Sequence, residues 1–171
     1  MDIRENIEKL YNMEVDNIWA HVVDEGVDDE LYLDSNYLYF EVNKKFLKIF
    51  NIAGEGKIRV TLEEKMEYSS EMDEGDVLHK INLSDFILNV SEMHYYVEKI
   101  GGINVVINSN EITCDAIEID LYAENKAKQK IFIHAGICGV GLGIGGMDKK
   151  SELMEELYVP LYGEKIDERW F

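Results

Sequence analysis

From Ile18 onward the chain is cut into short apolar runs by turn-forming residues, and this pattern limits the fold more than any other feature. IWAHVV, ELYL, YLYFEV, KFLKIFNI and KIRVTLEE follow one another, with DEGVDD, DSN, NKK and AGEG at the breaks. The runs are rich in β-branched and aromatic side chains, and the breaks hold the Asn, Asp and Gly that tight reversals need. Residues 18–68 are therefore expected to form an antiparallel meander. In KIRVTLEE, Ile58, Val60 and Leu62 alternate with Arg59, Thr61 and Glu63, the period of a strand with one buried and one wet face.

Helical spacing is confined to three places. Ile3, Ile7, Leu10 and Tyr11 recur at helical intervals, with Asp2 and Glu5 in the first turn, so a short amphipathic helix is expected over residues 2–13. After a charged loop at 69–76 and a strand VLHKIN, the residues Leu83, Phe86, Ile87, Val90, Met93, Val97 and Ile100 recur every three or four positions. This predicts a central amphipathic helix over about 84–100, capped by Ser84 and ended by Gly101 in a left-handed conformation. INVVIN, EITCDAIEIDLYA and QKIFIHAGICGV then read as strands. A short last helix is expected around SELMEELY, capped by Asp148 or Ser151 and stopped by Pro160. Trp170 and Phe171 end the chain and must dock to avoid exposure. The fold class expected is α+β, one acidic domain over 1–171, with mainly antiparallel sheet and these three helices.

Charge bounds the partners. The 171 residues carry 17 Lys and Arg against 35 Asp and Glu, a net charge of −18, and 46% of them are hydrophobic, enough for a core despite the charge. A folded chain of this mass exposes roughly 8,600 Å², so the excess, spread evenly, amounts to about one negative charge per 480 Å² of surface. Such a field repels nucleic acid and anionic membranes and steers basic proteins inward. No apolar run reaches a membrane span and no basic-then-apolar leader opens the chain, so a cytoplasmic location is expected. Cys114 and Cys138 lie in apolar, strand-like surroundings and read as reduced thiols.

The segment GVGLGIGG contains the spacing of a dinucleotide fingerprint at Gly141, Gly143 and Gly146. That motif also needs a second parallel strand with an acid about twenty residues on. Only 25 residues follow Gly146, without a strand-like run, so no cofactor is expected. A strand register fits better: Gly139, Gly141, Gly143 and Gly145 form a bare face that admits a helix, a ring or another strand, opposite Cys138, Val140, Leu142 and Ile144.

No catalytic or metal motif stands out. His21, His79, His94 and His134 show no ligand spacing, and His94 is placed on the central helix. Asp73-Glu74-Gly75-Asp76 lacks the ligand alternation of a calcium loop. Acids instead concentrate. One group is Asp24, Glu25, Asp28, Asp29 and Glu30. In a second, Glu63, Glu64, Glu67, Glu71, Asp73, Glu74 and Asp76 face a single Lys65, with Met66, Tyr68 and Met72 interleaved as apolar anchors. Glu118 and Asp120 alternate with Ile117, Ile119 and Leu121 and point to one strand face, expected to be exposed. The function expected is a non-enzymatic binder of a basic protein, an immunity protein or antitoxin that occludes a nuclease-like toxin. Glu63, Glu64, Glu67, Glu71, Asp73, Glu74, Asp76, Glu118 and Asp120 form the expected contact patch. The alternative is a small enzyme or ligand-binding domain with a pocket beside the Gly-rich strand 136–146.

Overall fold

Turn chemistry sets the first half of the fold. Asn43 and Lys44 both adopt positive φ (49° and 63°), the two-residue reversal whose twist matches antiparallel strands. It joins β2 (Tyr37–Val42) to β3 (Lys45–Ile52). Gly54 and Gly56, also at positive φ, turn the chain into β4 (Lys57–Glu63). The computed structural model describes residues 2–24, 37–66, 77–88, 94–136 and 141–171. Within them β1 (Val15–Asp24) pairs with β2 on one side and β5 (Val77–Asn82) on the other. The meander expected over 18–68 is present in β1 to β4, while ELYL lies outside the described residues.

The second half supplies β6 (Tyr95–Ile103), β7 (Val106–Ile107), β8 (Ile112–Cys114), β9 (Ala116–Ala123), β10 (Lys128–Ala135), β11 (Leu142–Gly145) and β12 (Glu168–Trp170). Two antiparallel sheets result, in the orders β5-β1-β2-β3-β4-β8-β7 and β11-β10-β9-β6-β12. One apolar cluster draws on both. Ile18, Phe40, Ile49 and Val60 come from the seven-stranded sheet, and Ile119, Leu121, Ile131 and Ile133 from the five-stranded one. The chain passes between the sheets at Asp115, the residue that separates β8 from β9. Helix α1 (Ile3–Glu8), with Asp2 accepting from the Arg4 N–H, adds Ile3 and Ile7 to the same cluster.

The central helix is absent. Among the described residues of this segment only a five-residue turn of helix, α2 (Ser84–Leu88), forms, and residues 95–103 are strand β6. The helical spacing was counterfeited by a β-bulge. The register of β6 against β9 shifts between Val97 and Lys99, so one inserted residue puts Val97 and Ile100, three apart, both into the core. Ser84 does not cap a long helix; its Oγ accepts from the Ile18 N–H of β1 at 2.8 Å. Gly101 is not a left-handed terminator either. A Cβ there would lie 2.6 Å from the Trp170 ring, so its bareness admits the C-terminal strand.

The last helix is longer than expected. It begins at Met147 rather than near Ser151, with Gly146 at its cap and no side-chain cap hydrogen bond. It runs through α3 (Met147–Leu153), a π turn (Met154–Tyr158), α4 (Val159–Tyr162) and a 3₁₀ turn (Gly163–Lys165), 19 residues in all. Pro160 does not stop it. In the π turn the Val159 N–H reaches back five residues to the Met154 carbonyl, so the wide turn carries the helix past the proline. Leu153 and Tyr158 pack with Ile103, Ala116 and Phe132 on the outer face of the five-stranded sheet, making a third layer. The tail docks in part: Phe171 is buried, whereas Trp170 stays 40% exposed. The Phe171 N–H donates to the Ile100 carbonyl at 3.0 Å, and the Tyr11 hydroxyl donates to the Phe171 carbonyl.

Candidate functional site

Strand β9 turns Ile117, Ile119 and Leu121 into the core between the sheets, which sends Glu118 and Asp120 to the opposite face. That face was expected to be open. The C-terminal helix covers it instead, and Glu118 and Asp120 are 5% and 4% exposed. Both acids are neutralised internally. The Lys130 Nζ donates to Glu118 at 3.0 Å and to both Asp120 oxygens at 3.1 and 3.0 Å. Lys150, from α3, donates to Glu118 at 2.6 Å and to Glu168 at 2.9 Å. Lys99 lies 3.4 Å from Asp120 and 3.6 Å from the centre of the Trp170 ring. Burial pushes the Glu118 carboxyl up, but the bonds from Lys150 and Lys130 outweigh it and hold it below the ordinary carboxylate value. The two acids are thus spent on joining strand, helix and tail.

Asp115 makes a second buried cluster where the chain changes sheets. It accepts from Lys57 Nζ at 2.8 Å and from Asn104 Nδ2 at 2.7 Å, and the Tyr162 hydroxyl also bonds to it. Burial, then the Asp115 charge, raises the Tyr162 hydroxyl above its usual pKa. Beside Asp115, Cys114 is a free, buried thiol, pushed up by desolvation.

His134 projects from β10 onto Gly143 of β11. A Cβ at Gly143 would fall 2.2 Å from His134 Nε2, and one at Gly145 would fall 2.5 Å from the Lys149 Cβ. Admission of a ring by the glycine face is therefore met, with the protein's own histidine as the ring. The imidazole Nδ1 lies 2.7 Å from the Ala135 carbonyl, and Nε2 is buried without a hydrogen-bond partner among the described residues. Burial lowers the His134 pKa, against the Ala135 bond, which raises it. The bare faces of Gly143 and Gly145 are filled, so no ligand groove opens on them.

The expected acidic patch divides. Glu63 pairs with Lys48 at 3.6 Å and Glu64 with Lys45 at 3.3 Å. Glu67, Glu71, Asp73, Glu74 and Asp76 lie outside the described residues, as do Glu25, Asp28, Asp29 and Glu30, the Asp73–Asp76 turn and Cys138. Glu63 and Glu64 sit at the end of β4 in the seven-stranded sheet, whereas Glu118 and Asp120 are buried on β9 of the five-stranded one, so the four do not form one exposed face. His94 precedes β6 rather than riding a helix, and its Nδ1 meets Glu14.

Two features escaped the sequence reading. On the outer face of the seven-stranded sheet, Lys48 lies over the rings of Tyr37, Tyr39 and Phe50, and Lys80 lies 4.0 Å from the Trp19 ring centre. Cross-strand register creates this stack, and no local motif announces it. On the C-terminal helix, Leu157, Val159, Leu161 and Tyr162 are exposed. The run LYVPLY carried that information, but placing a helix stop at Pro160 hid it.

Among the described residues no group of three His, Cys, Asp or Glu could hold a metal ion, and no helix is long and apolar enough to cross a membrane. The chain matches no protein-family model, no curated protein and no solved structure.

Proposed function

We propose that the chain is a non-enzymatic acidic binding protein, an immunity protein or antitoxin that occludes a basic, nuclease-like partner. The observation that carries this reading is the net charge of −18, which the pairing of the chain's cations with its own acids leaves unchanged. Lys57, Lys99, Lys130 and Lys150 are drawn onto the buried acids Asp115, Glu118 and Asp120, while Arg59, Lys45 and Lys48 are engaged by Glu111, Glu64 and Glu63. With the lysines so engaged, a net charge of −18 over 9843 Å² leaves an outward field dominated by carboxylates. Its partner supplies the missing cations, the same Lys and Arg that a nuclease uses on phosphates. The acid-dense stretch from Glu63 to Asp76 provides steering, which acts on the rate of encounter.

The test is co-expression with the products of the genes adjacent to this one, followed by stopped-flow association with any basic product that co-purifies. Steering predicts an association rate that falls on the order of tenfold or more between low and high salt. It also predicts a slower rate for Glu67→Lys/Glu71→Lys/Asp73→Lys, and suppression of the partner's nuclease activity at one equivalent. An association rate indifferent to both salt and charge reversal would sink the electrostatic mechanism, and no neighbour bound at all would sink the function.

A further inference from the structure

The helix that covers the five-stranded sheet is itself uncovered at its far end. Tyr158 is the last side chain of the helix to be buried. Beside and beyond it Leu157, Val159, Leu161 and Tyr162 are 37%, 50%, 65% and 36% exposed. Leu157 and Leu161 are one turn apart, so they share a stripe. Isolated exposed leucines need no explanation, but Leu157 and Leu161 side by side on one stripe make an apolar patch, with Val159 on another side of the helix.

The charge around this surface says what kind of molecule covers it. From Ser151 to the end of the helix the sequence contains Glu152, Glu155, Glu156 and Glu164 against a single Lys165. Glu152 is engaged by Lys149, whereas Glu155, Glu156 and Glu164 are exposed. A second copy of the chain would bring a like rim against this one, and an anionic lipid surface would do the same. Both are repelled. An apolar groove bordered by Lys and Arg is complementary in both respects.

We infer that residues 155–164 form the docking surface for the partner, with Leu157 and Leu161 as anchors in an apolar groove whose basic rim meets Glu155, Glu156 and Glu164. The sign of the partner rests on the function proposed above; the location and the anchors are new. The division of labour is physical. Distant carboxylates accelerate encounter, whereas buried apolar anchors slow dissociation.

The probe is a synthetic amphipathic Leu/Lys helical peptide, titrated into the full chain and followed by backbone amide chemical shifts. Shift changes are expected to concentrate in residues 155–164. Leu157→Ser/Leu161→Ser is expected to weaken binding at least about tenfold, as is Glu155→Lys/Glu156→Lys. Oligolysine of equal charge should bind the native chain no better than the Leu/Lys peptide binds the Ser variant. Both leucines are exposed, so the Ser variant keeps the parent's thermal midpoint, which is measured alongside. Shifts spread over other surfaces, or a Ser variant that binds undiminished, overturn the inference. A footprint of the co-expressed basic protein lying outside 155–164 overturns it too, while leaving the acidic-binder function standing. Absence of any salt-dependent basic partner overturns that function instead.

Discussion

Strands β4 and β9 are written in the same alternating code and meet opposite fates. In β4, Ile58 and Val60 enter the core while Arg59, Thr61 and Glu63 stay half-buried on the outer face of their sheet. In β9, Ile117, Ile119 and Leu121 enter the core, yet Glu118 and Asp120 are buried as well. A third layer makes the difference. The C-terminal helix and β12 close over β9, bringing Lys150 and Trp170, and Lys99 and Lys130 complete the neutralisation. Period-two alternation thus reports the polarity of a strand face, not whether water reaches it. A charged face is covered when matching cations arrive with the cover.

The largest test of this contrast removes those cations. Replacing Lys130 and Lys150 together by Met strips Glu118 of both hydrogen-bonded partners in a buried site. The expected loss is about 3–5 kcal/mol by urea unfolding at neutral pH. Adding Glu118→Gln should recover a large part of it, because the uncompensated charge is then gone. A variant as stable as the parent would mean that the covered face is not held by charge pairing at all.

A smaller effect is expected at the seam between β10 and β11. Gly143→Ala puts a methyl group where the His134 ring lies. Overpacking of this kind costs about 1–3 kcal/mol, read as a lower thermal midpoint. The same substitution should cost less in a His134→Ala background, which frees the space.

The pH dependence separates two groups on the covered face. The folded pKa of His134 is depressed below the ordinary histidine value of 6.5 by burial. The unfolded chain therefore takes up a proton that the folded chain resists, and stability falls as pH drops below about 6.5, by at most about 1.4 kcal/mol per pH unit. Glu118, also depressed but from 4.5, contributes stability above that value and loses it only as pH falls further. Unfolding curves between pH 7 and 5 should be flatter for His134→Phe than for the parent. Equal slopes would remove His134 from the account.

The smallest effect lies on the open sheet. Glu64 is 82% exposed beside Lys45, so Glu64→Ala should change stability by no more than about 0.5 kcal/mol. A loss of several kcal/mol would erase the distinction between the two sheets.

The turn-bounded meander was legible because its determinants are local. Asn43-Lys44 and the Gly54 and Gly56 reversal specify hairpins whatever packs on them. The glycine strand was legible in part, since Gly143 and Gly145 lie in β11 whereas Gly141 precedes it at a φ of 70°; docking of the tail was legible for Phe171 and not for Trp170, which stays exposed. The second half of 84–100 was misread because one bulged residue converts a period of two into a spacing of three between Val97 and Ile100. The candidate site was the least legible part. Glu118 and Asp120 were singled out correctly as a same-face pair, but as an outward surface, and the apolar end of the C-terminal helix was lost behind Pro160.

By itself the sequence determined the succession of strands and turns, an excess of negative charge, and the want of any local catalytic or ligand-binding spacing. These depend on neighbours a few positions apart. Tertiary structure alone decided which polar face is sealed, which carboxylates are buried, and that 95–103 is strand. Each of those outcomes rests on groups brought together from distant positions, such as Lys150 and Glu118, 32 residues apart, and the desolvation that selects among them exists only once the layers have closed.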